Sequence, residues 1–131
     1  MKPFFITFLA VLLSTFAYPN EAEERLKQLQ AQRVEVLERV VEHHKIHFQE
    51  GVIPLTELLE PQVELTNAKL SYEKDKERRI NILKTAIKQT SAIEKICRAR
   101  YEAGASRESD LLKATAMRLK FEILLVKEET K

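Results

Sequence analysis

A twelve-residue stretch occurs twice in this chain, and that repeat constrains the fold more than any other feature. Tyr101-Glu102-Ala103-Gly104-Ala105-Ser106-Arg107-Glu108-Ser109-Asp110-Leu111-Leu112 follows the plan of Phe48-Gln49-Glu50-Gly51-Val52-Ile53-Pro54-Leu55-Thr56-Glu57-Leu58-Leu59, displaced by 53 positions. Each copy holds an aromatic, a glycine three residues on, a short loop, an acidic residue and a Leu-Leu pair that reopens helical periodicity. Upstream, Val34, Leu37, Val40 and His44 fall opposite Ile87, Thr90, Ile93 and Cys97. The repeating unit is therefore helix, corner, helix. Gly51 and Gly104 are the chain's two glycines, as suits positions that must reach left-handed backbone angles just past a helix C-terminus.

The N-terminus reads differently. Met1-Lys2-Pro3 precedes an apolar block from Phe4 to Phe16 and then Ala17-Tyr18-Pro19-Asn20, the pattern of a cleavable signal peptide over residues 1–17. The block is short for a membrane span, which needs about 20 apolar residues, so cleavage is the expectation and a retained N-terminal anchor the alternative. Cleavage after Ala17 leaves residues 18–131 as one helical domain, with 21 Lys and Arg against 20 Asp and Glu because only Lys2 is lost. Bases and acids are interleaved, so the segregated basic face of a nucleic-acid binder is missing. Export to the periplasm or beyond is the expectation. Cys97 is the single cysteine, which rules out an internal disulfide and leaves a buried free thiol or an intermolecular bridge; its place on an apolar stripe suits the former, a small buried hydrophobe.

The periodicity predicts an all-α protein with three helices, over about residues 20–50, 54–103 and 106–129. In the first, Asn20 is the expected N-cap and Val34, Leu37, Val41, His44 and Phe48 keep the 4-and-3 spacing of a coiled-coil seam. Pro54 suits the first position of the second helix, and Pro61 predicts a kink or a separate short turn before it. Between Pro61 and Ala103 neither Gly nor Pro occurs, which predicts a spine of about 45 residues and roughly 65 to 70 Å. Its stripes are Val63, Thr66 and Leu70, then Ile80, Leu83, Ile87, Ile93 and Cys97. The charge run Glu73-Lys74-Asp75-Lys76-Glu77-Arg78-Arg79 between them reads as a solvated stretch of helix held by i,i+3 and i,i+4 pairs; a break there would instead fold the chain into a compact bundle. The third helix should start at Ser106 as N-cap and present Leu111, Leu112, Ala116, Leu119, Ile123 and Val126. A rod two helices thick would leave Ile82, Ile96, Phe121 and Leu125 without intrachain partners, so self-association is expected.

Little here points to chemistry. His43 and His47 are i,i+4 on one helix face, a spacing that lets two imidazoles reach one metal ion, with Glu50 a turn further on as a third ligand. No Gly-rich phosphate loop, zinc-protease pattern or nucleophile elbow occurs, so a non-enzymatic role without a cofactor is expected.

Tyr101, Gly104, Asp110, Leu111, Leu112 and Ala114, with Leu119 and Phe121 following, resemble the helical-hairpin corner of TolC-like outer-membrane efflux proteins. Phe48, Gly51, Glu57, Leu58 and Leu59 form a weaker copy, with Pro61 at the alanine position. In that family such corners form a periplasmic tip that meets an adaptor protein, which would make Gly51 through Thr56 and Gly104 through Ser109 the partner surface, with Gly51, Val52, Pro54, Gly104, Ser106, Arg107 and Glu108 at its centre. The family's barrel strands have no counterpart among these helical periods, so no pore is implied. With one uninterrupted helix between them, the two corners should lie at opposite ends. A looser similarity is to small periplasmic stress sensors of the CpxP and ZraP kind, though Leu55-Thr56 is followed by Glu57-Leu58-Leu59 rather than their Leu-Thr-x-x-Gln. That alternative would use the histidines as a metal site.

Overall fold

The computed structural model describes residues 19–131, and the signal peptide expected over residues 1–17 lies outside them. The described chain is all-helical, with α1 over Pro19–Gln49, α2 over Leu55–Tyr72, α3 over Lys76–Glu102 and α4 over Glu108–Glu129. The spine expected from 54 to 103 is thus two helices. Glu73 and Asp75 are both extended, with ψ of 126° and 127°, and the chain reverses between them.

Side chains of the charge run build that reversal. The Glu73 Oε1 atom accepts from the backbone N–H groups of Lys74 and Asp75 at 3.0 Å each, and Asp75 caps α3 by accepting from the N–H of Arg78 at 2.9 Å. Arg79 holds the turn shut. Its guanidinium donates to the carbonyls of Leu70 and Glu73 and, at 2.9 Å, to Glu128 of α4. An acidic residue that can cap, close to one that can bridge bare amides, competes with continued helix; the first three residues of the run are a connection, and Lys76 to Arg79 open α3, Lys76, Glu77 and Arg78 facing solvent.

Successive helices run antiparallel. His44, near the end of α1, lies against the Glu57 carbonyl near the start of α2, while Arg33 and Glu38, further back along α1, pair with Glu64 and Lys69, further along α2; Gln62 donates to Gln89 across α2 and α3, and Arg118 pairs with Glu94 across α4 and α3. α2 lies against all three other helices. One core cluster, at the corner end, joins Phe48, Leu55, Leu58, Leu59, Ile93, Cys97, Leu111 and Ala114, and a second joins Leu83, Ala86 and Phe121. The expected stripes of α1, α2 and α3 do face inward.

The face of α4 does not. Leu111, Ala114, Phe121 and Glu128 are its buried residues, whereas Leu112, Leu119, Ile123 and Val126 point to solvent. Phe121 is fully enclosed, and Ile96 and Leu125 pack on the clusters, so three of the four flanks expected to be bare have intrachain partners. A bundle surrounds what a rod would have left bare.

Pro61 does not break α2, which runs through it from Leu55 to Tyr72, so no separate short turn precedes it. A proline there cannot donate to the carbonyl of Glu57, four residues back. His44 of α1 supplies the missing donor, its Nδ1 lying 2.7 Å from the Glu57 oxygen; since a carbonyl only accepts, the proton sits on Nδ1.

Candidate functional site: the paired corners

The corner repeat in the sequence is a repeat of individual hydrogen bonds. After α1 the N–H of Gly51 donates to the Phe48 carbonyl at 3.0 Å and that of Val52 to His47 at 2.8 Å; after α3 the N–H of Gly104 donates to Tyr101 at 2.9 Å and that of Ala105 to Arg100 at 2.8 Å. Both are Schellman caps, which satisfy orphan carbonyls through a left-handed residue. The two glycines have φ of 75° and 71°. The equivalence continues into the next helix, where Glu57 N–H donates to Pro54 and Asp110 N–H to Arg107. Pro54 and Arg107 are accordingly the N-caps, one position later than Ser106 was expected to serve and one earlier than Pro54 was expected to enter its helix.

Because the chain reverses at residues 73–75, the corners lie at one end of the bundle and not at opposite ends. Between them is a cleft of about 540 Å³ lined by both loops, with Cys97 and Arg100 from α3 and Asp110 and Lys113 from α4. Gly51, Pro54, Ser106 and Arg107 line it directly. Val52, Gly104 and Glu108 are exposed at the same end, Val52 with 68% of its surface open. The Ser106 hydroxyl is shut off from solvent with no hydrogen-bond partner among the described residues.

Arg100 fastens one corner to the other. Its guanidinium lies over the Phe48 ring, 4.4 Å from the centroid, and donates to the carbonyls of Phe48 at 2.6 Å and Gln49 at 3.4 Å. A cation at a helix C-terminus meets the negative end of the dipole and the last unpaired carbonyls, so the corner of α3 closes the end of α1. Sequence reasoning passed over Arg100, although its place beside the aromatic of the second corner, opposite His47 of the first, was visible.

The one thiol that lines the cleft is not set up as a nucleophile. Cys97 is a free thiol, 2% exposed, and burial pushes its pKa up despite the nearby Arg100 charge, which leaves it a poor thiolate source at neutral pH. Arg100, Arg107 and Lys113 line the cleft together with Glu50 and Asp110 and with the apolar Phe48, Ile53 and Leu55, a lining of mixed charge and apolar surface.

The histidines are elsewhere. His43 and His47 are exposed on α1 and His44 is engaged with Glu57. Among the described residues no group of three or more His, Cys, Asp or Glu side chains is placed to hold a metal ion, and no helix is long and apolar enough to cross a membrane. No protein-family model, curated protein or solved structure matches the chain.

Proposed function

We propose that this chain is an exported, non-enzymatic helical protein whose paired-corner end docks a protein partner, in the manner of the periplasmic hairpin tips of TolC-like efflux proteins, and that the segment over residues 1–17 directs its export. The observation that carries the reading is the convergence of the two corners around one cleft, with an exposed apolar tip at Val52 and a charged rim at Arg107, Glu108 and Asp110. Two Schellman corners side by side form a preorganised surface. Little conformational entropy is lost when such a surface is covered, and a rigid concave patch with a few convergent polar groups is where ligands and partner segments ordinarily bind. An envelope protein of the efflux-adaptor type is the partner chemistry that the resemblance suggests.

The test is a photo-crosslinking residue at Val52 in cells, compared with the same residue at Lys84 on the exposed flank of α3. A partner captured from position 52 and not from 84, and lost on Arg107→Glu with Glu108→Arg at unchanged helicity, supports docking at the corners. Equal capture from both positions, or capture indifferent to the charge reversal, removes the reading.

A further inference from the structure

The solvent face of α4 carries a seam that its own bundle does not use. Leu112, Ala116, Leu119, Ile123 and Val126 follow one another at 4, 3, 4 and 3 residues, the spacing that keeps a stripe facing a partner helix. Leu112 is 59% exposed, Leu119 45%, Ile123 56% and Val126 58%. Opposite this seam α4 buries Leu111, Ala114, Phe121 and Glu128 against its own chain, so the helix is sandwiched only on one side.

We propose that a second copy of this chain packs in parallel against this seam, α4 to α4, as a two-stranded coiled coil about a two-fold axis running along the bundle.

Three features select that occupant. With Leu112, Leu119 and Val126 at d, the a positions within α4 are Ser109, Ala116 and Ile123; the β-branched Ile123 at a, with leucine at two of the three d positions, follows the combination that favours two parallel strands. The flanks are sorted by sign. Every e position is basic, Lys113, Lys120 and Lys127, while the g positions are Glu108, Thr115, Glu122 and Glu129. In a parallel pair each g residue meets the e residue five places on in the partner, so Glu108 faces Lys113 and Glu122 faces Lys127, each twice by symmetry. An antiparallel pair would set lysines against lysines and glutamates against glutamates, so the charges choose orientation as well as partner. Finally, the four open seam residues present on the order of 400 Å² of apolar side chain per copy, which with the lysine stems reaches the lower end of specific interfaces. Three heptads are few for an isolated coiled coil, but α4 is already ordered by its packing on α3, so helix nucleation is not charged to association.

The seam shares Glu108 and Lys113 with the corner end, so its tests use positions 119 to 127, away from the cleft. Sedimentation of the purified full chain at about 100 μM should give a dimer. Ile123→Lys, at an open position, should give a monomer with unchanged far-ultraviolet circular dichroism. Lys127→Glu alone should weaken the dimer at least about tenfold by placing Glu122 against a glutamate, and Glu122→Lys added to it should restore most of that loss; Arg118, which pairs with Glu122 at 2.8 Å, keeps Glu94 as its other partner. Oxidation of Leu119→Cys should link position 119 to position 119, since Cys97 is buried out of reach. A wild-type monomer, a dimer indifferent to Ile123→Lys, a double charge swap that fails to rescue, a higher oligomer, or the absence of a 119–119 link would each overturn the proposal.

Discussion

Arg100 closes the C-terminus of α1 from 52 residues away in sequence, stacking on Phe48 while donating to that residue's carbonyl. One side chain thereby holds both corners in one frame. The stack and the charge-assisted hydrogen bond are partly shielded from water, so Arg100→Ala should cost roughly 2 kcal/mol in urea unfolding. Arg100→Lys should recover less than half of that, because an ammonium cannot lie flat on the ring and reach two carbonyls together. An alanine variant as stable as the parent would mean that the corners are held by apolar packing alone.

His44 and Pro61 form a second long-range pair, linked through the Glu57 carbonyl. His44→Ala hands that exposed carbonyl to water and should cost about 0.5 to 1 kcal/mol. In a Pro61→Ala background the restored N–H can serve it, so the same histidine change should then cost distinctly less. A double-mutant cycle measures the difference, and a coupling energy of about 0.5 kcal/mol or more is expected between residues that share one acceptor. Strict additivity would show that the imidazole contributes only its bulk.

What the sequence made legible follows from what is local. The corners, their glycines, the inward stripes of α1 to α3 and the burial of Cys97 rest on periodicities that a short window contains. The break at Glu73 to Asp75 was hidden because the same charged residues suit both a solvated helix and a self-capped turn; only Arg79 reaching Leu70, Glu73 and Glu128 decides between them, and those contacts are not local. Helix α4 has two apolar stripes, and the regular one faces out. Phe121 with Ala114 fills the core because a large ring and a small residue interdigitate with α3, a fit that spacing does not encode. Glu94, which gathers Arg118, Thr115 and Arg98, was unreadable for the same reason. At the site, both corner loops were identified, but their meeting was not.

Gly51 and Gly104 offer a clean test of the corner geometry. A Cβ built at either would meet nothing within 4 Å, so any loss on substitution comes from the left-handed backbone and not from crowding. Alanine at either position should cost about 1 kcal/mol, and asparagine less, since it tolerates that region better. The two losses should be nearly equal because the two φ angles are. A loss confined to one glycine would contradict the equivalence of the corners.

For the histidines, the geometry predicts indifference. Two exposed imidazoles one turn apart, with no convergent third ligand among the described residues, make a weak site, and a metal that binds the folded chain stabilises it only when its concentration exceeds Kd. Zinc at 100 μM should leave Tm within about 1 °C, as differential scanning fluorimetry would register. A larger rise abolished by His43→Ala with His47→Ala would transfer the protein to the metal-sensor reading.

Acid should open the bundle at α4. Arg79 and then Lys131 hold the Glu128 carboxyl down to about 2 against an ordinary 4.5, and the hydrogen bond from Arg118 lowers Glu94 although burial opposes it. For a carboxylate whose folded pKa lies below its unfolded one, the stabilisation is complete above the unfolded value and is lost as pH falls toward the folded one. Stability should therefore stay level from pH 7 to about 5 and fall between about 4.5 and 2. Glu128→Gln removes the proton-linked part while keeping the shape; it should start less stable at pH 7 and lose less across that window. The tie it weakens also holds the 73–75 turn, so amide exchange should rise first at the C-terminus of α2 and the start of α3. If Glu128→Gln and the parent chain lose stability in parallel from pH 5 to pH 2, the Arg79–Glu128 pair is not what acid breaks.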